Sequence, residues 1–269
     1  MIVFSGSLVA LITPEGSSLW PLFGWHNLVT ISNIVADQEL DDFPVTNLAN
    51  PQTNSVWKSG STAEQTIEVT LSGGEEIDYV GVARHNWGSG RVRVSIDAMS
   101  GEPGAEWETV KDETYLGDDL PSMLMFEPNF YVGVRITLVP ESAAPQAAVL
   151  YVGKSMRMPT GIPPGHSPLI DALEVEMSRP MSQNGEFIGD IVLAERHQSS
   201  VDFRLIPGSW YRTYMRPFLS QRAPFFFAWS PEMHPLECVF AKLTNDPKPV
   251  INQATGEMDI TLGMIGLSR

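Results

Sequence analysis

The sequence predicts an all-β chain made of two units, each closed around its own apolar interior. Apolar and polar residues alternate along many short segments, which is typical of strands buried on one face and hydrated on the other. Glycine, proline, asparagine and aspartate separate these segments, as in sandwiches and barrels. Of the 269 residues, 43% are hydrophobic and 18% are charged, so the chain carries enough apolar material for a packed core.

The first half begins with a mildly apolar segment, residues 1–13, which predicts a short buried strand. It has no basic residue before its apolar part and no small-residue cleavage pattern after it, so we do not interpret it as a signal peptide. Three later segments alternate with a period of two, which predicts half-buried strands. These segments are Thr66–Leu71, Arg91–Asp97 and Val132–Leu138. The apolar runs Ile77–Ala83 and Val149–Val152 predict strands buried on both faces. A turn at Ser72–Gly74 is expected to separate two of these strands.

The second half shows the same alternation of apolar and polar residues. The alternating segments here are Leu173–Met177, Val201–Leu205 and Met258–Met264. Phe225–Trp229 and Cys238–Leu243 are apolar enough to be strands buried on both faces. No stretch of the chain reaches the roughly 18 consecutive apolar residues of a membrane span, so we expect no membrane insertion.

One segment, Pro207–Gln221, predicts an amphipathic helix. Its aromatic residues Trp210, Tyr214 and Phe218 lie four apart and would form a stripe that packs into the core. Pro217 is expected to kink this helix or to end its first part.

A change in composition predicts the boundary between the two units. Met158–Pro168 holds four prolines and two glycines, which is typical of an extended, semi-rigid linker. We therefore predict an N-terminal arm over 1–24, a first domain over 25–155, a linker over 156–168 and a second domain over 169–269.

The net charge of −15 argues against phosphate-backbone binding as the main activity, because nucleic-acid binding needs clustered positive charge. The acidity belongs to residues 1–155, which carry 7 basic and 20 acidic side chains. Two interpretations stay open: a solvated, self-repelling surface, or a surface that attracts cations or a basic partner.

No catalytic, metal-binding or cofactor motif is present, so we expect neither enzymatic activity nor a bound cofactor or metal. Cys238 is the only cysteine and lies in an apolar run, which predicts a buried, inert thiol and excludes an intrachain disulfide. The acidic pairs Asp41–Asp42, Glu75–Glu76 and Asp118–Asp119 are typical of surface turns. A glycosidase also needs two carboxylates, so a glycan-processing enzyme is a third, weaker hypothesis.

The cluster Arg84, His85, Asn86 and Trp87 is the candidate ligand site, because it follows an apolar strand and leads into the next. An exposed indole would stack on a sugar ring while the histidine and the amide bind hydroxyl groups. In the alternative interpretation, His85 and Asn86 satisfy backbone groups at a tight turn and Trp87 packs over the sandwich.

The first half resembles a known family. Its segments, in order, are Phe43–Leu48, Thr53, Val56–Ser59, Gln65–Leu71 and Asp78–Asn86. This order is similar to the galactose-binding-like (discoidin-like) jelly roll found in many phage tail proteins, and it covers about residues 25–155. The resemblance implies a jelly-roll sandwich, in a family whose members can bind glycans or calcium through loops at one end.

The second half resembles the distal tail proteins of long-tailed phages. The segments that carry this resemblance are Ser178–Gly189, Val201–Leu205, Trp210, Pro217 with the residue after it, and Arg222–Trp229. It implies a small β-barrel or sandwich with one helix, assembled into a six-fold ring between the tail tube and the tip.

Together the two resemblances imply a structural tail protein of a phage virion, synthesised in the cytoplasm of the bacterial host. Its expected partners are further copies of itself in a hexameric ring, the tail tube, the tip or hub proteins, and host-surface glycans. The alternative is a carbohydrate-binding or adhesion module without ring assembly.

Overall fold

The computed structural model describes residues 1–12, 20–181, 183–186, 188–252 and 254–266. Residues 13–19 of the predicted N-terminal arm, and positions 182 and 187 of the segment that resembles distal tail proteins, lie outside this part of the chain. The described residues are nearly all β, which confirms the predicted fold class of sandwich sheets with a helix in the second half.

The strands are, in chain order, β1 (Ile2–Phe4), β2 (Leu22–Gly24), β3 (Ile34–Ala36), β4 (Trp57–Lys58), β5 (Gln65–Ala83), β6 (Val92–Met99), β7 (Trp107–Tyr115), β8 (Ser122–Pro140), β9 (Gln146–Ala147), β10 (Val149–Gly153), β11 (Met156–Arg157), β12 (Leu173–Ser178), β13 (Ile191–Ile206), β14 (Phe225–Ala228), β15 (Cys238–Leu243), β16 (Val250–Ile251) and β17 (Met258–Gly266). The helical segments are α1 (Gly6–Ile12), a 3₁₀ helix (Val45–Ala49), α2 (Gly208–Trp210), a π turn (Tyr211–Met215) and α3 (Arg216–Gln221). None of the described helices is long and apolar enough to cross a bilayer.

Two compact units divide the chain. The first contains Met1–Pro159 together with Ala223–Phe240. The second contains Thr160–Arg222 and the residues that follow from Ala241. The domain ranges given above stay a prediction.

The first unit is built on a sheet with the strand order β10-β5-β8-β6-β7, on which β1 joins β8 and β3 joins β5. The alternation predicted for its strands is present, since one face of each is buried. The buried side chains are Ile67, Val69, Leu71, Val92, Val94, Ile96, Val134, Ile136 and Leu138. On the other face of the sheet, Tyr151 of β10 meets Phe226 of β14 with ring centroids 5.4 Å apart. Gly81 permits this contact, because a Cβ there would lie 2.7 Å from the Phe226 ring.

The expected turn at Ser72–Gly74 does not end a strand, because β5 continues through it. The register against β8 shifts between Thr70 and Glu75, where Gly73 and Gly74 adopt φ angles of +87° and +79°. Glycine tolerates this left-handed backbone, so the extra residues form a bulge and pairing then resumes.

The N-terminal segment corrects the prediction of one buried strand. Among residues 1–12, the part of this segment that the structure describes, Ile2–Phe4 forms a strand and the helix α1 follows it. Ser5 explains the change, because its Oγ accepts a hydrogen bond from the Leu8 amide at 3.2 Å and its carbonyl accepts one from the Val9 amide. A serine in this position is a favourable helix N-cap.

The second unit is a sheet in which β13 pairs with β12 and β17, while β16 and residues Ala241–Leu243 of β15 also pair with β17. Val201, Phe203 and Leu262 are fully buried in its core. The half-buried strand predicted at Leu173–Met177 is wrong in its burial, because every residue of β12 is at least partly exposed. Its position explains this, since β12 pairs only with β13 among the described strands.

The helix of the second unit buries a different face from the one predicted. Tyr211, Met215 and Phe218 are buried, whereas Trp210 is only half-buried and Tyr214 is exposed. The π turn just before α3 explains the difference, because its wider winding changes the phase of the side chains. Trp210 and Tyr214 contact each other instead, with ring centroids 5.4 Å apart.

Candidate functional site

The predicted site residues lie in a tight loop between β5 and β6 of the first unit. Arg84 and Arg91, at its two ends, have φ angles of +56° and +50°. Non-glycine residues in this left-handed region are uncommon and cost free energy, so the surrounding structure must hold them there. At the Arg91 end, the Gly90 amide donates to the Asn86 carbonyl and the Arg91 amide donates to the Gly88 carbonyl. At the other end, the Arg84 carbonyl accepts a hydrogen bond from the Ala148 amide at 3.2 Å.

Asn86 ties this loop to a neighbouring segment. Its Nδ2 donates to the Ala144 carbonyl at 3.0 Å, and its Oδ1 accepts from the Gln146 amide at 2.9 Å. The amide group is therefore engaged with backbone on both sides.

His85 is buried and neutral. Its Nδ1 accepts a hydrogen bond from the Trp87 amide at 3.1 Å, which leaves the proton on Nε2, 2.9 Å from the Leu120 carbonyl. Burial lowers the pKa of His85 to about 4, against the opposing effects of the Leu120 carbonyl and Asp119. The imidazole is thus a structural link between the loop and residue 120.

Trp87 is 0% exposed, which corrects the expectation of an exposed indole able to stack on a sugar. Of the four predicted residues, Arg84 alone has an exposed side chain. The geometry is that of the alternative interpretation, in which His85 and Asn86 bond to backbone and Trp87 packs inside the sandwich.

A group of polar residues adjoins the same loop, and all of them are exposed except Arg93, which is half-buried. We call it the Tyr115 patch, and it consists of Arg91, Arg93, Glu113, Tyr115 and Glu141. Arg93 of β6 lies directly opposite Tyr115 of β7, so the two side chains emerge on the same face. Strand β6 pairs with β7 on one side and with β8 on the other, and Glu141 follows the end of β8.

Hydrogen bonds and ion pairs connect all five side chains of the Tyr115 patch. Arg91 Nε lies 3.0 Å from Glu141 Oε2, and Arg93 Nη1 lies 2.9 Å from Glu113 Oε2. A longer ion pair, 3.8 Å between Arg93 Nε and Glu141 Oε1, joins the two groups. The Tyr115 hydroxyl donates to Glu141 Oε1. This hydrogen bond raises the pKa of Tyr115 and lowers the pKa of Glu141, whose carboxylate Arg91 also stabilises.

The sequence analysis does not predict the patch, because its members come from β6, β7, the residue before β6 and the residue after β8. The alternation in Arg91–Asp97 places both arginines on the hydrated face, and that signal was available. Their proximity to Tyr115 and Glu141 depends on strand pairing across about 50 residues, which a local pattern does not contain.

A second exposed feature is the hairpin arm of the second unit, which we define as β12, the start of β13 and the described residues between them. Seven of its described apolar side chains are exposed, with Met181 reaching 68%. The others are Leu173, Met177, Ile188, Ile191, Val192 and Leu193. Arg196 of β13 forms an ion pair with Glu176 of β12 at 2.5 Å. Arg179 and Asp190, next to the strand ends, form another at 3.5 Å.

Potential metal ligands and the cysteine thiol were located among the described residues. They contain no group of three or more histidine, cysteine, aspartate or glutamate side chains placed to hold a metal ion. Cys238 is buried as predicted, and burial raises the pKa of its thiol to about 11.

Comparison with known proteins gives structural likeness to carbohydrate-binding modules. No family model matches the chain, and no curated protein matches it. Chitosan-binding module 1 from a Paenibacillus sp. IK-5 chitosanase/glucanase covers 47% of this chain and 98% of its own, with 18% identity and a TM-score of 0.41. The family 32 module of Clostridium perfringens NanJ, solved with galactose, covers 48% of this chain and 98% of its own, with 15% identity and a TM-score of 0.39.

Proposed function

We propose that the chain is a structural component of a bacteriophage tail, a distal ring or tip protein that acts through contact surfaces. The observation that supports this most strongly is the hairpin arm. Exposed apolar clusters on soluble proteins mark interaction sites, and a two-stranded hairpin without covering elements is only marginally stable in water. An arm of this composition therefore fits a protein whose second unit is completed by a neighbour.

The neighbour in this proposal is a second copy of the chain, joined through a different surface. A two-fold pairing of β12 with itself, centred on Val175, would place Glu174 opposite Glu176 of the second copy. Like charges directly opposite each other destabilise a strand pair. A contact between unlike surfaces avoids this repulsion and closes into a ring when the rotation permits. The resemblance to distal tail proteins makes six the expected number of copies.

The same proposal includes the remaining expectations of the sequence. The chain is not an enzyme, needs no cofactor, and occupies the virion tail beside the tube and the tip or hub proteins. Its first unit contacts host-surface glycans.

The test is the mass of the purified protein by light scattering at increasing concentration, together with negative-stain images. We expect hexamer-sized rings, and a Met181→Ser/Ile188→Ser double variant that stays monomeric. The matched control is Ile31→Ser, which changes an equally exposed apolar residue of the first unit and should still assemble. A strict monomer at high concentration, or assembly that the arm variant leaves intact, would contradict the proposal.

The second candidate function is carbohydrate binding or adhesion without ring assembly. The observation that favours it is the Tyr115 patch, where a half-exposed aromatic ring stands beside donors and acceptors for hydroxyl groups. Its test is saturable binding on a broad glycan panel by a protein that remains monomeric. No binding on such a panel would remove this candidate.

A further inference from the structure

We propose that the hairpin arm of one copy docks in a groove on the second unit of the next copy. The proposal rests on the ring of the proposed function and adds to it the surface that receives the arm. We call this surface the basic groove. It is a concavity of about 530 Å³ between the helix and the loop that follows β15, and its lining includes Tyr211, Arg216, Leu219, Arg222, Asp246 and Pro247.

The basic groove carries positive charge in an otherwise acidic chain. Residues 203–231 include four arginines and no acidic residue, and Arg216 and Arg222 of this segment line the groove. Arg222 forms an ion pair with Asp246 at 3.2 Å. Arg216 and Lys248, the residue after Pro247, are exposed and form no ion pair within the described part of the chain. The groove therefore offers positive charge that the chain itself does not neutralise.

The backbone at the end of the helix adopts a costly conformation that places an arginine in the groove. Arg222 follows α3 with a φ angle of +53°, in the left-handed region where glycine is the usual residue after a helix. Residues held in this region persist where the surrounding structure fixes them, and they cluster at ligand and partner sites. The strain at Arg222 thus supports a role for the groove in binding.

The hairpin arm is complementary to the basic groove in both charge and polarity. Between Leu173 and Leu193 the arm carries one basic residue and four acidic ones. The acidic residues, all exposed, are Glu174, Glu176, Glu186 and Asp190. Docking covers the half-buried side chains of Leu219 and Pro247 with apolar residues of the arm, while carboxylates of the arm meet Arg216 and Lys248.

The arm cannot reach the groove of its own chain. It lies at the start of β13, whereas the groove lies beyond the end of that strand, where the helix begins. Val192 and Asp202 are ten residues apart on β13, which corresponds to about 30 Å at the usual rise of a strand. The groove that receives the arm therefore belongs to another copy, and two different surfaces meet in the contact. Repeated head to tail, such a contact closes into a ring when the rotation permits.

The experiment mixes two full-length variants, each of which lacks one side of the contact. The groove variant is Arg216→Glu/Lys248→Glu, and the arm variant is Met181→Ser/Ile188→Ser. All four native side chains are exposed, so both variants should keep the thermal midpoint of the native protein. We expect each variant alone to be monomeric by light scattering and an equimolar mixture to form a particle of two chains. The mixture stops at two because its one intact arm and one intact groove are then occupied.

The matched control is Arg157→Glu/Lys242→Glu, which makes the same change of charge at two exposed basic residues that do not line the groove. It should assemble as the native protein does. A groove variant that also assembles like the native protein overturns the groove as the docking surface. A mixture that stays monomeric shows that the arm enters another surface, and it overturns the proposal as well.

Particle mass also separates this proposal from the ring on which it rests. A native protein that stops at two copies, each with its arm in the groove of the other, overturns the ring while the mixed variants still pair and support the docking surface. A native protein that forms rings together with a groove variant that does so overturns the docking surface alone. A strict monomer at high concentration overturns both.

Discussion

Replacing Asp78 with asparagine should stabilise the protein at neutral pH, because the native carboxylate is buried. Asp78 is 8% exposed, and burial raises its pKa to about 6 from 3.8. The hydrogen bonds from Ser155 and the charges of Arg157 and Lys154 oppose this rise without cancelling it. Folding therefore favours the protonated form of the side chain.

The sign and size of the effect follow from linkage. Since the folded pKa lies above the unfolded one, the stability linked to Asp78 is fully present below pH 3.8 and is lost as pH rises through about 6. A difference of about two pKa units corresponds to about 3 kcal/mol at pH 7, as an upper value. The asparagine introduced by Asp78→Asn keeps the contacts with Ser155, whose amide lies 2.6 Å and whose hydroxyl lies 2.8 Å from the native carboxylate. The hydroxyl can accept from the new amide as readily as it donates to the carboxylate.

The assay is urea unfolding of the native protein and Asp78→Asn between pH 4 and 8, followed by tryptophan fluorescence. The variant should gain stability relative to the native protein as pH rises, by up to about 3 kcal/mol. Other titrating groups are common to both proteins and cancel in the difference. Asp41→Asn, which makes the same change at an exposed carboxyl group, is the control variant. A flat difference for Asp78→Asn would refute the assignment of a buried, destabilised carboxylate.

Two further predictions concern the buried loop. The pKa of His85 is lowered from 6.5 to about 4, so its contribution to stability is present above pH 6.5 and is lost as pH falls toward 4. His85→Gln should reduce this loss of stability at acid pH, as measured by the difference between the urea midpoints at pH 4.5 and pH 7. A difference equal to that of the native protein would contradict the prediction. Trp87→Ala should lower the free energy of unfolding by about 3–5 kcal/mol, because it empties a fully buried site. A thermal midpoint equal to that of the native protein would show that Trp87 is not packed in the core.

The sequence predicts the strands well because their signal is local. Alternation along Gln65–Leu71 and Val92–Asp97 is enough to place a side chain on the buried or the hydrated face. A local pattern does not predict the buried face of the helix correctly. The π turn at Tyr211–Met215 changes the winding of the backbone and shifts the face that is buried. The predicted burial of one face of the edge strand β12 is wrong for another reason. Alternation predicts which residues share a face but not whether anything covers that face.

The candidate site likewise contains residues that the local sequence predicts and residues that it does not. Residues that bond to nearby backbone, such as Asn86, are suggested by their type and by the glycines around them. The Tyr115 patch depends on the pairing of β6 with β7, whose register shifts between Val94 and Ile96. A bulge of this kind changes which side chains meet and leaves no reliable trace in the sequence.

The buried loop supports the exposed patch, and this decides which variant tests ligand contact. The Val92 amide donates to the Trp87 carbonyl at 2.8 Å, and the Ser142 amide donates to the Gly90 carbonyl at 3.2 Å. These bonds hold the backbone on both sides of Arg91 and next to Glu141. Loss of sugar binding in Trp87→Ala would therefore follow from a displaced patch, because the indole itself is inaccessible. Tyr115→Ala tests contact directly, since that ring is exposed and its removal leaves the loop in place.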